Sequence, residues 1–448
     1  MLEEGERVYQ RRADARLRRI PYNGGGAAFL PKEMITIELD EEAFALLCWL
    51  ARPMTARQLR RRFVERFARN VTLARVDRTI RQLEECGFVV QIRRGTTVND
   101  ALRSEPETIP IAPESVHLQL NNVCNLRCPS CYVALAAEED GSLSLEQLMG
   151  LIDDLAEMGV FQLALGGGEP LMSPNFLPLL RYARRKGLLP NVTTNGWLLT
   201  ESLIAQIRDV VGEVRLSFND GISVHHDLLM EKAILLRREG VPFGFNLIVT
   251  RHNIRRIGEI LRQLVALRPR SVTLIRPKPA PHNERWYAAN ALSPRDSLML
   301  IQQLRRLEAL FAKTQLTVDC ALSYLFYDLP EAELVARGVA GCSMGKRFVT
   351  IAWNGGVYPC SHLQDEEFKA GNITDRTFRA IWETSPLFAS LRAGLDRLKG
   401  SCGRCIKRKF CGGCRAIPWR TTGDLQGADI GCPFSEGGRR SIIPCLSC

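Results

Sequence analysis

The 448-residue chain contains no run of eighteen or more apolar residues, so no segment has the sequence of a membrane-crossing helix. Its first thirty residues are rich in Glu and Arg and lack the apolar core of a secretory signal, which predicts a cytoplasmic protein with no membrane partner. Cysteine is nearly missing from the start. Only Cys48 and Cys86 precede residue 120, whereas ten of the fifteen cysteines lie from Cys320 onward. In a reducing compartment this distribution excludes a disulfide framework and predicts metal ligation in the middle and at the end of the chain. Cys48 and Cys86 fall on the apolar faces of predicted helices and are expected to be ordinary buried cysteines.

An apolar fraction of 46% with 24% charged residues is that of a globular protein, and the length predicts two or three domains. The net charge of +11 raises the question of an acidic partner. The densest basic run, Arg60-Arg61-Arg62 with Arg57, Arg66 and Arg69, lies on a predicted helix whose Leu59, Phe63 and Phe67 mark the buried side. That pattern reads as a solvated face, and nucleic acid is not the expected partner.

Residues 1–100 are predicted to form a separate winged-helix domain. Phe29 to Leu39 alternates like a strand, Asp40 to Ala51 is helical, and a second helix runs from its cap at Thr55 to about Arg69. A third helix, Val76 to Cys86, stops at Gly87 and is followed by the short strand Phe88 to Arg93. Residues 100 to about 115, rich in Glu and Pro, read as a linker.

Beyond the linker, strands are predicted at Val116–Leu120, Phe161–Leu165, Asn191–Thr194, Val214–Phe218, Phe243–Val249 and Val272–Ile275, with helical segments between them. Ser144 and Gln147 form the capping box of the first of these helices. Six alternations of strand and helix predict an α/β fold, a partial (β/α)6 barrel of the TIM type over residues 112–312, followed by a cysteine-rich domain over 313–448. Function in such folds gathers at the C-terminal ends of the strands.

The first of those ends carries Cys124-Asn-Leu-Arg-Cys128-Pro-Ser-Cys131. Zinc would require a fourth Cys or a His at suitable spacing, and the nearest histidine, His117, sits inside the preceding strand as a packing residue. A 4Fe-4S cube held by three thiolates leaves one iron open for an outside ligand. This loop resembles the CxxxCxxC signature of radical S-adenosylmethionine enzymes, with Gly167-Gly168-Glu169-Pro170 and Thr193-Thr194-Asn195-Gly196 following later strands as in that family. The resemblance implies that S-adenosylmethionine chelates the open iron, with Cys124, Cys128 and Cys131 catalytic. It also implies cofactor contacts from Tyr132, Gly167, Gly168, Glu169, Thr194, Asn195, Ser217, Asn219 and Arg276. Glu169 offers a carboxylate to an ammonium group, and Gly166, Gly167 and Gly168 allow a ligand close to the main chain. Ser130 departs from the family, which often has an aromatic residue before the third cysteine, as does Asn219, where many relatives carry Asp.

The C-terminal cysteines, Cys342, Cys360, Cys402, Cys405, Cys411, Cys414 and Cys432, resemble the SPASM extension of radical S-adenosylmethionine enzymes, although two residues rather than three separate Cys411 from Cys414. The resemblance implies two auxiliary 4Fe-4S clusters, three in the whole chain. Cys342, Cys360 and Cys414 would hold the first, and Cys402, Cys405, Cys411 and Cys432 the second. The first lacks a fourth ligand, for which Cys320 is the choice; the alternatives are Cys445, Cys448, or no protein ligand, which would leave an iron open to substrate. The first hundred residues resemble the peptide-recognition element related to the chaperone of pyrroloquinoline-quinone biosynthesis, where a leader peptide adds as a strand to an exposed edge; Phe29 to Leu39 is the candidate edge.

Together these resemblances imply an oxidoreductase that modifies a ribosomally made precursor peptide, through hydrogen abstraction by a 5′-deoxyadenosyl radical and formation of a thioether, C–C or C–O crosslink. A flavodoxin or ferredoxin-type protein would supply electrons. The alternatives are a maturase of an enzyme or of a peptide-derived redox cofactor, and a zinc-dependent nucleic-acid-binding protein. His225, His226, His252, His282 and His362, with Asp220 and Asp319, are weighed as proton carriers, and none is chosen.

Overall fold

The structure is a computed structural model that describes residues 7–19, 25–33, 35–92, 112–137, 141–218, 223–336, 339, 341–394 and 397–434. It divides into two compact units, one made of residues 1–112 with 157–161 and 335–338, the other of the remainder.

The first unit contains strands β1 (Val8–Arg11), β2 (Arg16–Arg19), β3 (Gly26–Leu30), β4 (Ile35–Leu39), β5 (Met54–Thr55) and β6 (Val89–Ile92), and helices α1 (Glu41–Trp49), α2 (Ala56–Phe67) and α3 (Leu73–Glu85). They form two three-stranded antiparallel sheets, ordered β5-β1-β6 and β2-β3-β4. Local sequence explains the helix starts. The Asp40 carboxylate accepts from Ala43 N at 2.8 Å, and Thr55 and Gln58 complete a reciprocal capping box. Leu46, Leu47, Leu59, Phe63, Ile80, Leu83 and Phe88 share one core, while Arg57, Arg60, Arg61, Arg66 and Arg69 stay exposed, as a solvated face requires.

Two expectations are corrected in this unit. The Phe29–Leu39 stretch is not one strand but the end of β3, a turn and β4, paired antiparallel with Phe29 opposite Thr36. Its outer strand, β4, is an edge of its sheet. Cys86, expected to be buried, is exposed, and Cys48 is half-buried. Cys86 caps the end of α3 beyond Leu83, the last buried residue of that helix, and Gly87 at φ 80° then turns the chain away.

The second unit is built on one ten-stranded sheet. Its strands are β7 (Ser115–Gln119), β8 (Gln162–Gly166), β9 (Leu189–Thr194), β10 (Val214–Phe218), β11 (Phe243–Ile248), β12 (Ser271–Ile275), β13 (Gln315–Val318), β14 (Phe348–Ile351), β15 (Gly356–Tyr358) and β16 (Gly371–Asn372). Their order is β13-β12-β11-β10-β9-β8-β7-β14-β15-β16, with β7 to β13 all parallel. The six predicted strands are β7 to β12. The short, partly exposed β13 was not anticipated, nor was β14, which adds in parallel to the outer edge of β7 and begins the antiparallel β14-β15-β16 meander. The sheet thus runs past residue 312, and the cysteine-rich segment extends the sheet of the barrel.

Helices α4 (Leu145–Glu157), α5 (Phe176–Arg185), α6 (Glu201–Ile207), α7 (Ser223–Arg238) and α8 (Ile257–Ala266) make the crossovers. α4 begins at the predicted capping box, Gln147 N donating to Ser144 Oγ at 3.2 Å and Ser144 N to Gln147 Oε1 at 2.9 Å. It buries the anticipated Leu148, Leu151, Ile152 and Leu155. Among the described residues no helix is long and apolar enough to cross a membrane.

Candidate functional site

A cavity of about 450 Å³ opens at the C-terminal ends of the barrel strands. That volume is within the range of small-molecule sites. Each strand contributes where it ends: His117 from β7, Gly166 from β8, Thr193 and Thr194 from β9, Ser217 from β10, Asn246 and Ile248 from β11, and Ile275 from β12. The loop after β7 brings Cys124, Cys128 and Cys131 into the wall, and Ser361 and His362 close it from the segment after β15.

Backbone packing explains how the cysteine loop is held. The Gly168 N–H donates to Asn121 O at 3.0 Å and the Glu169 N–H to Val123 O at 2.8 Å, while Asn121 Nδ2 donates to Glu169 O at 2.9 Å. A Cβ at Gly167, whose φ is +119°, would lie 2.4 Å from Asn121 O, and one at Gly168 would lie 1.9 Å from Val123 O. Both glycines are therefore required by the protein's own backbone where it enters the cysteine loop. Gly166 has another role: a Cβ there would stand 2.5 Å from His117 Nε2.

Glu169 is 1% exposed. Its Oε1 accepts from Thr194 Oγ1 at 2.7 Å and Leu171 N at 3.2 Å, and its Oε2 from Asn195 N at 2.9 Å. Burial raises its pKa, and these three donors oppose the rise. Asn195 Nδ2 reaches Cys124 Sγ at 3.7 Å and Asn125 Oδ1 at 2.8 Å, so the Thr193–Gly196 turn is tied to both the glycine turn and the first cysteine. Burial raises the thiol of Cys124 and pushes that of Cys131 up to about 11. Ser217 lines the cavity, and Asn219 and Asp220 lie outside the described residues. The Tyr132 ring is 4.7 Å from that of His362.

Arg276 was expected at the cofactor. It lines the cavity, but its Nη1 donates to Asp429 Oδ2 at 2.9 Å and to Ala321 O at 3.3 Å, so the carboxylate it meets belongs to the C-terminal segment. Sequence reading missed Lys278 altogether. This buried lysine pairs with Asp319 in the cavity wall, and Asp319 Oδ1 and His362 Nδ1 are buried there without hydrogen-bond partners. Burial opposes the charge on Lys278, but Asp319 and the neighbouring Cys414 and Cys320 outweigh it and raise its pKa. No local motif marks such a pair, because its members are 41 residues apart in sequence. His117, read as a packing residue, is buried yet faces the cavity; its Nδ1 is 3.0 Å from Ser361 Oγ, which is 2.9 Å from Thr350 Oγ1.

The C-terminal cysteines gather in two groups. Cys320 and Cys342 hydrogen-bond to each other, lowering Cys342 and raising Cys320, and Cys360 and Cys414 lie within electrostatic reach of Cys342. Cys402, Cys405, Cys411 and Cys432 together line a separate cavity of about 30 Å³, with Tyr324, Tyr327 and Phe434 also in its lining. Burial pushes Cys360 up to about 11, and Cys414 and Cys432 up to about 12. No disulfide joins the thirteen described cysteines, and Cys445 and Cys448 lie outside the described residues.

Among the described residues no three His, Cys, Asp or Glu side chains converge on a single-ion position. The two all-cysteine groups, and a three-cysteine loop opening on a large cavity, have the donor chemistry that iron-sulfur clusters take.

Residues 118–264 match the Radical SAM superfamily and residues 342–406 the SPASM iron-sulfur cluster-binding domain. The chain is 30% identical over 353 residues to the AdoMet-dependent heme synthase of Methanosarcina barkeri, covering 73% of this chain and 98% of the relative. It is also 30% identical over 349 residues to the PqqA peptide cyclase of Gluconobacter oxydans, covering 73% and 92%. In fold it resembles Streptococcus suis SuiB bound to the precursor peptide SuiA, with a TM-score of 0.68, 16% identity, and coverage of 96% of this chain and all of that one.

Proposed function

The chain belongs to the radical SAM superfamily, and we propose that it is a maturase acting on a ribosomally made precursor peptide. It is an enzyme of S-adenosylmethionine radical chemistry, and its two matched domains are of kinds that bind S-adenosylmethionine and iron-sulfur clusters. The finer reading is three 4Fe-4S clusters: one on Cys124, Cys128 and Cys131, one on Cys320, Cys342, Cys360 and Cys414, and one on Cys402, Cys405, Cys411 and Cys432.

The observation that carries the reading is the cavity of about 450 Å³ walled jointly by the three-cysteine loop, the strand ends and the Ser361–His362 segment next to Cys360. A substrate side chain placed there lies between the initiating loop and the first auxiliary group. When bound, the cluster and S-adenosylmethionine supply a 5′-deoxyadenosyl radical that takes hydrogen from an unactivated carbon. The protein's own residues hold and shield. Gly167 and Gly168 fix the cysteine loop, Asn195 orients Cys124, Tyr132 and His362 wall off water, and the Lys278–Asp319 pair presents a fixed charge arrangement to the substrate. The first unit is the proposed leader-binding element, with β4 as the edge that accepts it. In support, the fold of SuiB extends over 96% of the chain, whereas the heme synthase match covers 73%.

Anaerobic reconstitution followed by iron and sulfide counting tests the metal content, and fewer than about eight irons per chain would sink the three-cluster reading. Co-expression with any short open reading frame found next to the gene, followed by peptide mass analysis, tests the substrate. A crosslinked product lighter by two hydrogens is expected; an unaltered peptide alongside turnover of a tetrapyrrole would instead favour a small-molecule substrate of the kind the name of the Methanosarcina barkeri relative suggests.

A further inference from the structure

From Arg397 to Phe410 the chain contains no Asp or Glu, yet it carries Arg397, Lys399, Arg404, Lys407, Arg408 and Lys409. Asp424 neutralises Lys399 at 2.8 Å. The others form no ion pair among the described residues: Lys407 Nζ donates to Leu329 O, and Arg408 Nη1 to Gly403 O. Arg404 and Lys409 are exposed. Between them Ile406 is 76% exposed, and Ile430, two residues before Cys432, is 53% exposed. A bare isoleucine inside a one-sign collar is a combination that folding does not require.

This turn carries Cys405 and lies between Cys402 and Cys411, three of the four cysteines that line the small cavity. At about 30 Å³ that cavity has room for little more than a water molecule, so no peptide segment inserts there. A partner at this surface exchanges something that needs proximity and no pocket. Electrons meet that requirement, and thiolate-held iron-sulfur centres exchange them. Small, transient electron-transfer interfaces draw their association rate from charge complementarity. A nucleic acid would use the cations but would have no contact for the isoleucine.

We propose that the Arg404–Lys409 turn is the docking site of an acidic protein carrying a low-potential one-electron centre. The proposal rests on the functional reading above, and deepens it by placing the electron carrier at the Cys402, Cys405, Cys411 and Cys432 group. The reduced carrier loses one electron, the centre held by those thiolates gains it, and no bond is made or broken.

The test uses reconstituted holoenzyme under anaerobic conditions, with purified flavodoxin as the probe. Binding is measured at low and high salt, and S-adenosylmethionine cleavage is driven in parallel by reduced flavodoxin and by dithionite. Arg404→Glu with Lys409→Glu should weaken flavodoxin binding at low salt by about tenfold or more and flatten its salt dependence. Ile406→Ser should weaken binding at both salt concentrations. Dithionite-driven cleavage should stay at the wild-type rate in both variants. Arg181→Glu with Arg184→Glu, which makes the same charge change on α5, should leave binding unaltered. Wild-type binding by the Arg404/Lys409 variant, or equal loss in the α5 control, would overturn the docking site. Failure of dithionite to drive cleavage in the wild type would instead overturn the functional reading, and the binding comparison would still decide the docking site.

Discussion

Arg276 Nη1 lies 2.9 Å from Asp429 Oδ2, and the two side chains are 2% and 1% exposed. The same Asp429 oxygen accepts from Cys414 N at 2.9 Å, and the Asp429 N–H donates to Cys402 Sγ at 3.4 Å. A buried ion pair thus links the end of β12 to both C-terminal cysteine groups. Asp429→Ala leaves the guanidinium buried without its counter-ion and should cost about 3–5 kcal/mol, read from denaturant unfolding. Arg276→Met combined with Asp429→Leu should recover most of that loss. If the double variant is as unstable as the single one, the cost lies in the cysteine contacts rather than in the uncompensated charge.

The two turn glycines separate from an ordinary one. Gly167→Ala and Gly168→Ala force a Cβ into the backbone of Asn121 and Val123, so each should displace the cysteine loop and lower iron incorporation there, with far-ultraviolet circular dichroism little changed. Gly150, in the middle of α4, has nothing within 4 Å of the added carbon, and Gly150→Ala should stabilise by about 0.5–1 kcal/mol. Full iron loading in Gly168→Ala would show that the loop can be held without this close approach.

Burial pushes His117 down to about 4. Because the folded imidazole binds its proton less tightly than the unfolded one, near 6.5, the stability tied to its neutral form is complete above about pH 6.5. It shrinks as the pH falls and is gone near pH 4, for a total of roughly 3 kcal/mol. His117→Gln should flatten the pH dependence of unfolding in that window. The imidazole of the folded protein should remain neutral by nitrogen NMR at pH 6; a protonated ring there would contradict the assignment.

Cys320 is the proposed fourth ligand of the first auxiliary group. Cys320→Ala should remove or degrade the cluster there, seen as lost iron and an altered electron paramagnetic resonance signal, while the exposed Cys86→Ala should change neither. Unchanged iron and spectrum in Cys320→Ala would return the role to Cys445 or Cys448.

Local signals made much of the fold legible. The capping boxes at Thr55 and Ser144 and the apolar faces of α2 and α4 are written in a few consecutive residues, and β7 to β12 carry the apolar runs of strands buried on both faces. β13 and β14 escaped because short strands at the edges of such a run are specified by their neighbours, not by their own pattern. The hairpin at Leu30–Ile35 was hidden because both its arms continue one alternation. In the site, the cysteine spacings are local and were readable. The partners of Arg276, Lys278 and His117 come from Asp429, Asp319 and Ser361, far along the chain; the pairing of β13 with β12 brings Asp319 near Lys278, and that of β14 with β7 places the segment carrying Ser361 beside His117.

The central claim is that radical initiation belongs to the Cys124, Cys128 and Cys131 loop and that product formation needs the C-terminal cysteine groups. Its most direct test is anaerobic quantification of 5′-deoxyadenosine and modified peptide in wild type, in Cys124→Ala/Cys128→Ala/Cys131→Ala, and in Cys402→Ala/Cys405→Ala, with iron content and folding measured on each. The account predicts both products in wild type, neither in the triple variant, and 5′-deoxyadenosine without peptide product in the double variant. Full peptide modification by a well-folded double variant, or 5′-deoxyadenosine from the triple one, would contradict it.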